Sequence, residues 1–220
     1  MYRFFRFFAV RPVMFLFFRT RVVGLENIPK RGGVIIAGNH IAFIDSVFVP
    51  GAANRPMTYL TGSDYFTKTG FGGRLLGWFL TQIGQLPIDR AGGSASKAAL
   101  DTGIGVLERG GALGIYPEGS RSRDGKLHKG RTGVARLVLS SGVPVVPFGI
   151  VGSDGVMVKG SKLPRRARVT VTFGEPLTFE KVTGDYDAAR LRAVTDEIMA
   201  AVQKLTPQEY VDTYVSARSE

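Results

Sequence analysis

Val-Ile-Ile-Ala-Gly-Asn-His-Ile-Ala-Phe-Ile-Asp, residues 34–45, joins an apolar run to two titratable side chains. The run over 34–37 follows two glycines and predicts a short buried strand. Spacing over 43–49 predicts a helix. His40 then lies in the connecting turn and Asp45 in the helix, where the carboxylate can hydrogen-bond one imidazole nitrogen and leave the other to accept a proton. This geometry is typical of a general base.

The same pair also has a purely structural interpretation, in which the histidine caps a turn and Asp45 occupies the N-terminus of a helix. The chain has two histidines and no cysteine. It therefore has no thiol nucleophile, disulfide or thiolate metal site, and a histidine-rich metal site is not expected. No Gly-x-Ser-x-Gly elbow is present. If His40 is a base, the nucleophile must come with the substrate.

Strands alternating with helices along the chain predict an α/β fold: one layered domain with a mixed, largely parallel sheet flanked by helices. Besides the first strand, apolar runs and alternation predict strands over 57–61, 85–88, 112–116, 143–150 and 168–173. Helical periodicity predicts helices over 70–83, 96–108, 132–139 and 188–205, with Gly142 ending the third of these.

Polar side chains follow three of the predicted strands. His40, Arg90 and Glu118 each come shortly after a strand. Because ligands of open α/β sheets bind at the carboxyl ends of strands, we expect these three segments to converge on one site.

The chain is strongly basic, with a net charge of +11 and a pI of about 10.2. This balance favours anionic partners such as nucleic acid, lipid headgroups or phosphorylated substrates, although a solvated basic surface would give the same totals. No pattern of an RNA-binding sheet is evident, so no nucleic-acid partner is expected.

Residues 1–20 mix seven phenylalanines with arginines and lack the run of about 20 apolar residues that a spanning helix needs. We predict that residues 1–20 form an amphipathic helical segment in the membrane interface and that residues 21–220 form the α/β domain. The alternative is a helix that packs on the core while its arginines reach water. Trp78 is expected to be a core residue or an interface anchor.

Four blocks in order resemble one enzyme family. They are Asn39-His40-x4-Asp45, Gly84 to Arg90, Tyr116-Pro117-Glu118-Gly119-Ser120-Arg121-Ser122, and the apolar residues 143–147. Together they resemble the glycerolipid acyltransferases, specifically the 1-acylglycerol-3-phosphate (lysophosphatidic acid) acyltransferase family. The resemblance extends from about residue 22 to residue 151.

The resemblance implies transfer of a fatty acyl group from acyl-CoA or acyl carrier protein to the free hydroxyl of 1-acylglycerol 3-phosphate. The product is phosphatidic acid, in phospholipid synthesis. His40 would be the general base, Asp45 its orienting carboxylate, and residues 143–147 part of an acyl channel. The residues implied near the acceptor phosphate are Arg90, Glu118, Gly119 and Arg121.

The resemblance further implies a mixed α/β domain behind a membrane-docking helical segment, with no metal and no organic cofactor. Expected partners are membrane lipids with anionic headgroups, the lysophospholipid acceptor and the acyl donor. The expected location is the cytoplasmic side of the cell membrane, as a peripheral or monotopic protein.

One departure from the family pattern leaves the acceptor open. Many members carry a lysine about twenty residues after the histidine block, where this chain has Gly62. Lys68 and Lys129 are possible substitutes. The same chemistry on glycerol 3-phosphate, another lysophospholipid or a glycolipid is one alternative. A non-catalytic basic module that binds membranes is another.

Two further basic features have no role in this scheme. His128 is interpreted as a loop residue outside the site. The cluster of Lys159, Lys162, Arg165, Arg166 and Arg168 is either a solvated loop or a contact for anionic lipid or carrier protein.

Overall fold

A computed structural model describes residues 8, 10–67, 69–88, 93–157, 164–184 and 186–215. Within these residues the α-helices are α1 (Asp45–Ala52), α2 (Gly70–Gln82), α3 (Gly93–Glu108), α4 (Gly133–Ser141) and α5 (Ala188–Gln203). The strands are β1 (Arg21–Val23), β2 (Val34–Gly38), β3 (Met57–Gly62), β4 (Gln85–Ile88), β5 (Ala112–Ile115), β6 (Leu127–His128), β7 (Val145–Val151), β8 (Thr170–Phe173) and β9 (Tyr210–Val211).

Seven strands form one sheet in the order β1-β8-β7-β2-β5-β3-β4, and β6 pairs with β9. From β7 to β4 every neighbouring pair is parallel, whereas β8 runs antiparallel to β7. The predicted mixed, largely parallel sheet flanked by helices is confirmed. Strand β2 lies at the centre and is buried along its whole length, as its uninterrupted apolar run predicts.

The sheet separates two layers of apolar core. Alternate side chains of β2 point to opposite faces, so Val34 and Ile36 join one core cluster while Ile35 and Ala37 join the other. Helices α1 and α2 cover the first cluster. Helices α3, α4 and α5 cover the second.

Helix α1 continues through Pro50 to Ala52, three residues beyond the predicted end. Proline lacks an N–H, so the carbonyl of Ser46, four residues earlier, loses its usual helical donor. The side-chain amide of the buried Gln85 donates to that carbonyl at 3.3 Å. This hydrogen bond from β4 lets the helix tolerate the proline. Because Gln85 is distant in the sequence, the local pattern around Pro50 does not reveal the contact.

Other helix and strand boundaries agree with prediction to within a few residues. Gly142 follows α4 with φ +68° and donates its N–H to the carbonyl of Val138, so its predicted role in ending that helix is confirmed. Strand β1 and the short β6–β9 pair were not predicted, since each has only two or three residues.

A cleft opens where two strands of the sheet separate. Strand β5 pairs with β3 only as far as Gly114 opposite Tyr59. Beyond Tyr59, β3 pairs only with β4. The carboxyl ends of β3 and β5 therefore diverge and leave space between them.

The described part of the N-terminal segment packs on the first core cluster through Val10, Met14 and Phe18. Val13–Phe17 forms a π-helix whose remaining side chains face outward. Within the described ranges, no helix is both long enough and apolar enough to cross a bilayer.

Candidate active site

His40 follows the carboxyl end of β2, and its ring is held by Asp45 at the start of α1. The His40 Nδ1 to Asp45 Oδ2 distance is 2.9 Å. An ionised carboxylate only accepts hydrogen bonds, so Nδ1 carries the proton and Nε2 has a free lone pair. Among the described residues, none hydrogen-bonds to Nε2. The predicted pairing of imidazole and carboxylate is present, with its second nitrogen available to a ligand.

Asp45 is fully buried and its two oxygens accept four hydrogen bonds. Besides the imidazole, Oδ2 accepts from the backbone N–H groups of Ile41 and Ala42, both at 2.8 Å. The hydroxyl of Ser153, after β7, donates to Oδ1. Asp45 therefore has both roles that the sequence left open, since it orders the turn before α1 and orients His40.

The ring of Tyr116 lies flat against the imidazole. The two ring centroids are 3.9 Å apart and the ring planes differ by 10°. Burial, with further contributions from Tyr59 and Asp45, raises the pKa of Tyr116 well above its usual value of 10. A neutral phenol at this place supports the imidazole by packing and adds no charge to the site.

Glu118 is fully buried behind His40. Its Oε1 accepts from the backbone N–H of His40 at 3.2 Å, and its Oε2 accepts from that of His128 at 2.9 Å. Burial raises the pKa of Glu118 to about 7, although the two backbone hydrogen bonds act in the opposite direction. The backbone N–H of Ser122 also donates to the His40 carbonyl at 2.7 Å. The 116–122 block therefore fixes the backbone of His40 from both sides.

Asn39 connects the end of β2 to two distant segments. Its amide oxygen accepts from the N–H of Ile150 at 2.8 Å, and its amide nitrogen donates to the Ile150 carbonyl at 2.9 Å. The same nitrogen donates to Gln208 at 2.6 Å. Because Asn39 is buried, leaving its amide without hydrogen-bond partners would destabilise the fold. These bonds satisfy the amide and fix the residue next to His40.

Gly119 has φ +80°, in the left-handed region that favours glycine. A Cβ built there would lie 2.9 Å from Cδ and Nε of Arg131. Arg131 is also fixed by its backbone N–H, which donates to the Pro117 carbonyl at 2.7 Å, and by the ring of Tyr214 beneath its guanidinium. The absence of a side chain at Gly119 thus allows the side chain of Arg131 to pack against the backbone of this loop.

A cavity of about 590 Å³ opens beside His40. It reaches into the cleft between β3 and β5. Its charged wall contains Arg121, Arg123, Arg131 and Arg136, and among the described residues no carboxylate lines it. Within the described part of the chain, Arg123, Arg131 and Arg136 form no ion pair. Such a wall attracts an anion, and guanidinium groups suit a phosphate.

The rest of the cavity wall is mostly apolar. Its lining includes Phe43, Leu60, Ile88, Leu100, Leu113, Ile115, Leu137 and Val215. Residues 143–147, which the resemblance placed in an acyl channel, do not line this cavity. Val145 and Val146 are fully buried in β7, between β2 and β8. The apolar surface available to a ligand comes instead from β3, β5, α3 and α4.

The predicted site residues have different positions. His40, Gly119 and Arg121 line the cavity, whereas Asp45 and Glu118 lie behind it as supports. Arg90 lies outside the described residues, and its predicted role stays a prediction. Ile88, two residues earlier, lines the cavity.

The possible substitutes for the missing family lysine do not fill its place. Gly62 is buried at the end of β3. Lys68 lies outside the described residues. Lys129 does not line the cavity and pairs with Asp212 at 2.8 Å.

His128 also lies outside the cavity. Its Nε2 is 3.0 Å from Asp124 and its Nδ1 is 3.2 Å from the Thr213 carbonyl. Of the chain's two histidines, only His40 lines the cavity. No group of three possible metal ligands was found among the described residues.

Sequence reasoning missed several contributors to the site: Arg123, Arg131, Arg136, Ser153 and the C-terminal residues Tyr214 and Val215. Only Arg123 had a local signal, because it follows the predicted site residue Arg121 by two positions in the sequence. The others reach the site through contacts between distant parts of the chain.

Comparison with known proteins agrees with this architecture. A model of the family named Acyltransferase matches residues 19–151. The 1-acyl-sn-glycerol-3-phosphate acyltransferase of Bacillus subtilis is 26% identical over 199 residues, which cover 90% of this chain and 93% of that protein. The chloroplastic enzyme BAT2 of Brassica napus, of the same name, is 27% identical over 177 residues, covering 79% of this chain. Those residues span 49% of BAT2, so this chain matches about half the length of that relative.

A solved structure shares the fold. The crystal structure of the 1-acyl-sn-glycerophosphate (LPA) acyltransferase PlsC from Thermotoga maritima superimposes with a TM-score of 0.66 at 23% identity. The match covers 94% of this chain and 81% of that chain. Its extent shows that the sheet and its flanking helices form one shared architecture.

Proposed function

Because this chain belongs to the acyltransferase family, we propose that it transfers a fatty acyl group from a thioester to the free hydroxyl of 1-acylglycerol 3-phosphate, giving phosphatidic acid. The observation that carries this proposal is the His40–Asp45 pair at the edge of a cavity with a cationic wall and an apolar wall. An acceptor with a phosphate at one end and an acyl chain at the other matches both walls. The relatives named above act, by their names, on this same acceptor.

In the proposed reaction, Nε2 of His40 removes the proton of the acceptor hydroxyl as its oxygen attacks the thioester carbonyl carbon. The new C–O bond forms, the C–S bond breaks, and the proton on the imidazole passes to the departing thiolate. Asp45 stays ionised and stabilises the imidazolium between these two transfers. General base catalysis of this kind contributes on the order of 10²–10⁴ in rate.

The four cavity-lining arginines are the proposed site for the acceptor phosphate. A phosphomonoester carries about −1.5 to −2 charges near neutral pH, and its oxygens accept charge-assisted hydrogen bonds from guanidinium groups. Gly119 contributes by admitting Arg131 close to the loop. Arg90 is proposed as a further contact because it follows cavity-lining Ile88 by two residues.

The apolar wall is the proposed binding surface for a fatty acyl chain. It holds side chains from both sides of the β3–β5 cleft, including Leu60, Leu113 and Leu137. Burying a hydrocarbon chain there would contribute roughly 0.8 kcal/mol per methylene. Acyl-CoA and acyl carrier protein are both proposed donors because the thioester is the same in each. No metal or organic cofactor has a part in the proposed reaction.

The proposed setting is the cytoplasmic face of the cell membrane, where a lipid acceptor resides. Residues 8 and 10–20 support this location because they combine exposed phenylalanines with arginines. The net charge of +11 favours a bilayer with anionic headgroups. The proposed partners are therefore membrane lipids, the acceptor and the donor, without nucleic acid.

The direct test measures thiol release from acyl-CoA or acyl carrier protein with lysophosphatidate as acceptor. We expect His40→Ala to lower kcat/KM by about 10²–10⁴. His128→Ala is the matched control, because it removes the other histidine side chain and leaves its backbone bond to Glu118. Product identity is determined with glycerol 3-phosphate and monoacylglycerol offered beside lysophosphatidate. Turnover of His40→Ala close to that of His128→Ala would contradict the proposal.

A further inference from the structure

Helix α2 presents an apolar stripe to the outside of the molecule. Phe71, Leu75 and Trp78 are 86%, 52% and 46% exposed. At 3.6 residues per turn their side chains lie within about 60° of arc. Leu80 is on the opposite side of the helix and is buried in the first core cluster. The helix therefore uses one side for the core and leaves large apolar side chains on the other.

The N-terminal segment has the same arrangement on the same side of the sheet. It packs on the first core cluster, which α2 also covers. Its outward side chains include Phe8 and Leu16, which are 72% and 80% exposed. Both elements thus expose large apolar side chains on the same side of the sheet.

The charged side chains within the segments that form this face are all basic, although the exposed Asp64 and Asp154 lie in adjoining turns. Arg74 is exposed on α2 beside the stripe, and α2 contains no acidic residue. Residues 8–20 and 164–168 also contain none. The Arg166 guanidinium lies over the ring of Phe17, 5.4 Å from its centroid, so the basic loop adjoins the N-terminal segment. Apolar side chains flanked by arginines match an acyl layer beneath anionic headgroups.

We propose that α2 is a second lipid-docking element, which inserts Phe71, Leu75 and Trp78 into an anionic bilayer alongside the N-terminal segment. This inference rests on the proposed location of the protein at a membrane surface. A second copy of the chain fits the face less well, because dimerisation would bring the same cations together. An anionic bilayer neutralises them.

Helix α2 is also connected along the chain to two strands that line the cavity. Helix α2 connects β3 to β4, and Thr61 of β3 and Ile88 of β4 both line the cavity. The element that enters the bilayer is therefore joined at both ends to strands that form the substrate cavity.

Trp78 makes the proposal directly testable because it is the only tryptophan of the chain. Its emission reports whether α2 itself enters the bilayer, even when the N-terminal segment alone binds the protein. The full chain is mixed with phosphatidylglycerol–phosphatidylcholine vesicles, with and without lipids brominated on the acyl chains. We expect a blue shift of the emission and quenching by the brominated lipids. Sedimentation with vesicles while the emission stays unshifted and unquenched would overturn the proposal, as would failure to sediment.

A variant series provides an independent measurement by vesicle sedimentation. The triple variant Phe71→Ser, Leu75→Ser, Trp78→Ser should bind about ten-fold or more weakly, because it removes three apolar side chains from the docking face. Val23→Ser is the control, since it removes an exposed apolar side chain on β1, outside both elements. Equal partitioning of the triple variant and the control would also overturn the proposal.

The docking inference and the proposed reaction fail in different ways. Activity is measured separately on a short-chain, water-soluble lysophosphatidate without vesicles. An inactive protein whose Trp78 is quenched supports docking and refutes the reaction. An active protein whose Trp78 is unquenched refutes docking alone.

Discussion

Replacing Asp45 by asparagine separates the charge of this residue from its role in shaping the turn. In the variant, the amide oxygen can still accept from the imidazole N–H and from the N–H groups of Ile41 and Ala42. The amide nitrogen then faces the Ser153 hydroxyl, which can rotate to accept. The backbone geometry is therefore kept, while the negative charge beside His40 is lost.

The size of the effect follows from the distance between the two charges. Asp45 Oδ2 is 2.9 Å from Nδ1, and the imidazolium charge is spread over the ring, so an effective separation is about 4 Å. With an effective dielectric constant of about 20, the Coulomb attraction between carboxylate and imidazolium is about 4 kcal/mol. If the imidazolium forms only in the transition state, that energy corresponds to a loss of about 10³ in kcat/KM.

The assay is the initial rate of thiol release with lysophosphatidate, measured on wild type, Asp45→Asn and Ser153→Ala. Ser153→Ala removes one hydrogen bond from the carboxylate and keeps its charge, so a smaller loss is expected. Thermal unfolding of each variant shows whether the fold is retained. A folded Asp45→Asn enzyme with kcat/KM within a few-fold of wild type would refute the electrostatic role of Asp45.

Three further predictions concern the residues around His40. Because burial raises the pKa of Glu118 from 4.5 to about 7, its contribution to stability is full below pH 4.5 and is lost as the pH rises towards 7. Between pH 5 and pH 8, wild type should lose roughly 2.5 kcal/mol more of its free energy of unfolding in urea than Glu118→Gln loses, and equal losses would contradict the raised pKa. Gly119→Ala should destabilise the fold by about 1–2 kcal/mol, because alanine is strained in the left-handed backbone conformation. It should also raise KM for lysophosphatidate, because the added Cβ would displace the side chain of Arg131. An unchanged KM would show that the close contact between Gly119 and Arg131 does not matter for binding. Arg131→Gln should raise KM for lysophosphatidate about 10- to 100-fold but leave KM for monoacylglycerol nearly constant. Arg190→Gln, on the exposed face of α5, is the control. Equal effects of Arg131→Gln on both acceptors would exclude a phosphate contact.

Sequence reasoning succeeded where a local pattern carries the physical constraint. The apolar run of β2 can only be satisfied between two other strands, and the sheet places it there. The spacing of His40 and Asp45 predicts a turn followed by a helix start, and the structure has Asp45 as the first residue of α1.

The family resemblance assigned Glu118 to the acceptor site, whereas the structure gives both of its oxygens backbone partners inside the protein. A direct contact of Glu118 with substrate stays a prediction without support from this geometry. Sequence spacing showed that a carboxylate follows β5, but it did not show which way the side chain turns.

The order of residues along the chain was sufficient to predict most of the strands and helices and the pairing of His40 with Asp45, because each depends on neighbours within a few positions. Only the tertiary structure showed that Arg123, Arg131 and Arg136 share one cavity with Arg121, that Ser153 donates to Asp45, and that Val215 lines the cavity wall. Long-range contacts around the site join positions as distant as Asn39 and Gln208, 169 residues apart. Local periodicity carries no information about such pairs, because the paths of the intervening strands and helices determine which side chains meet.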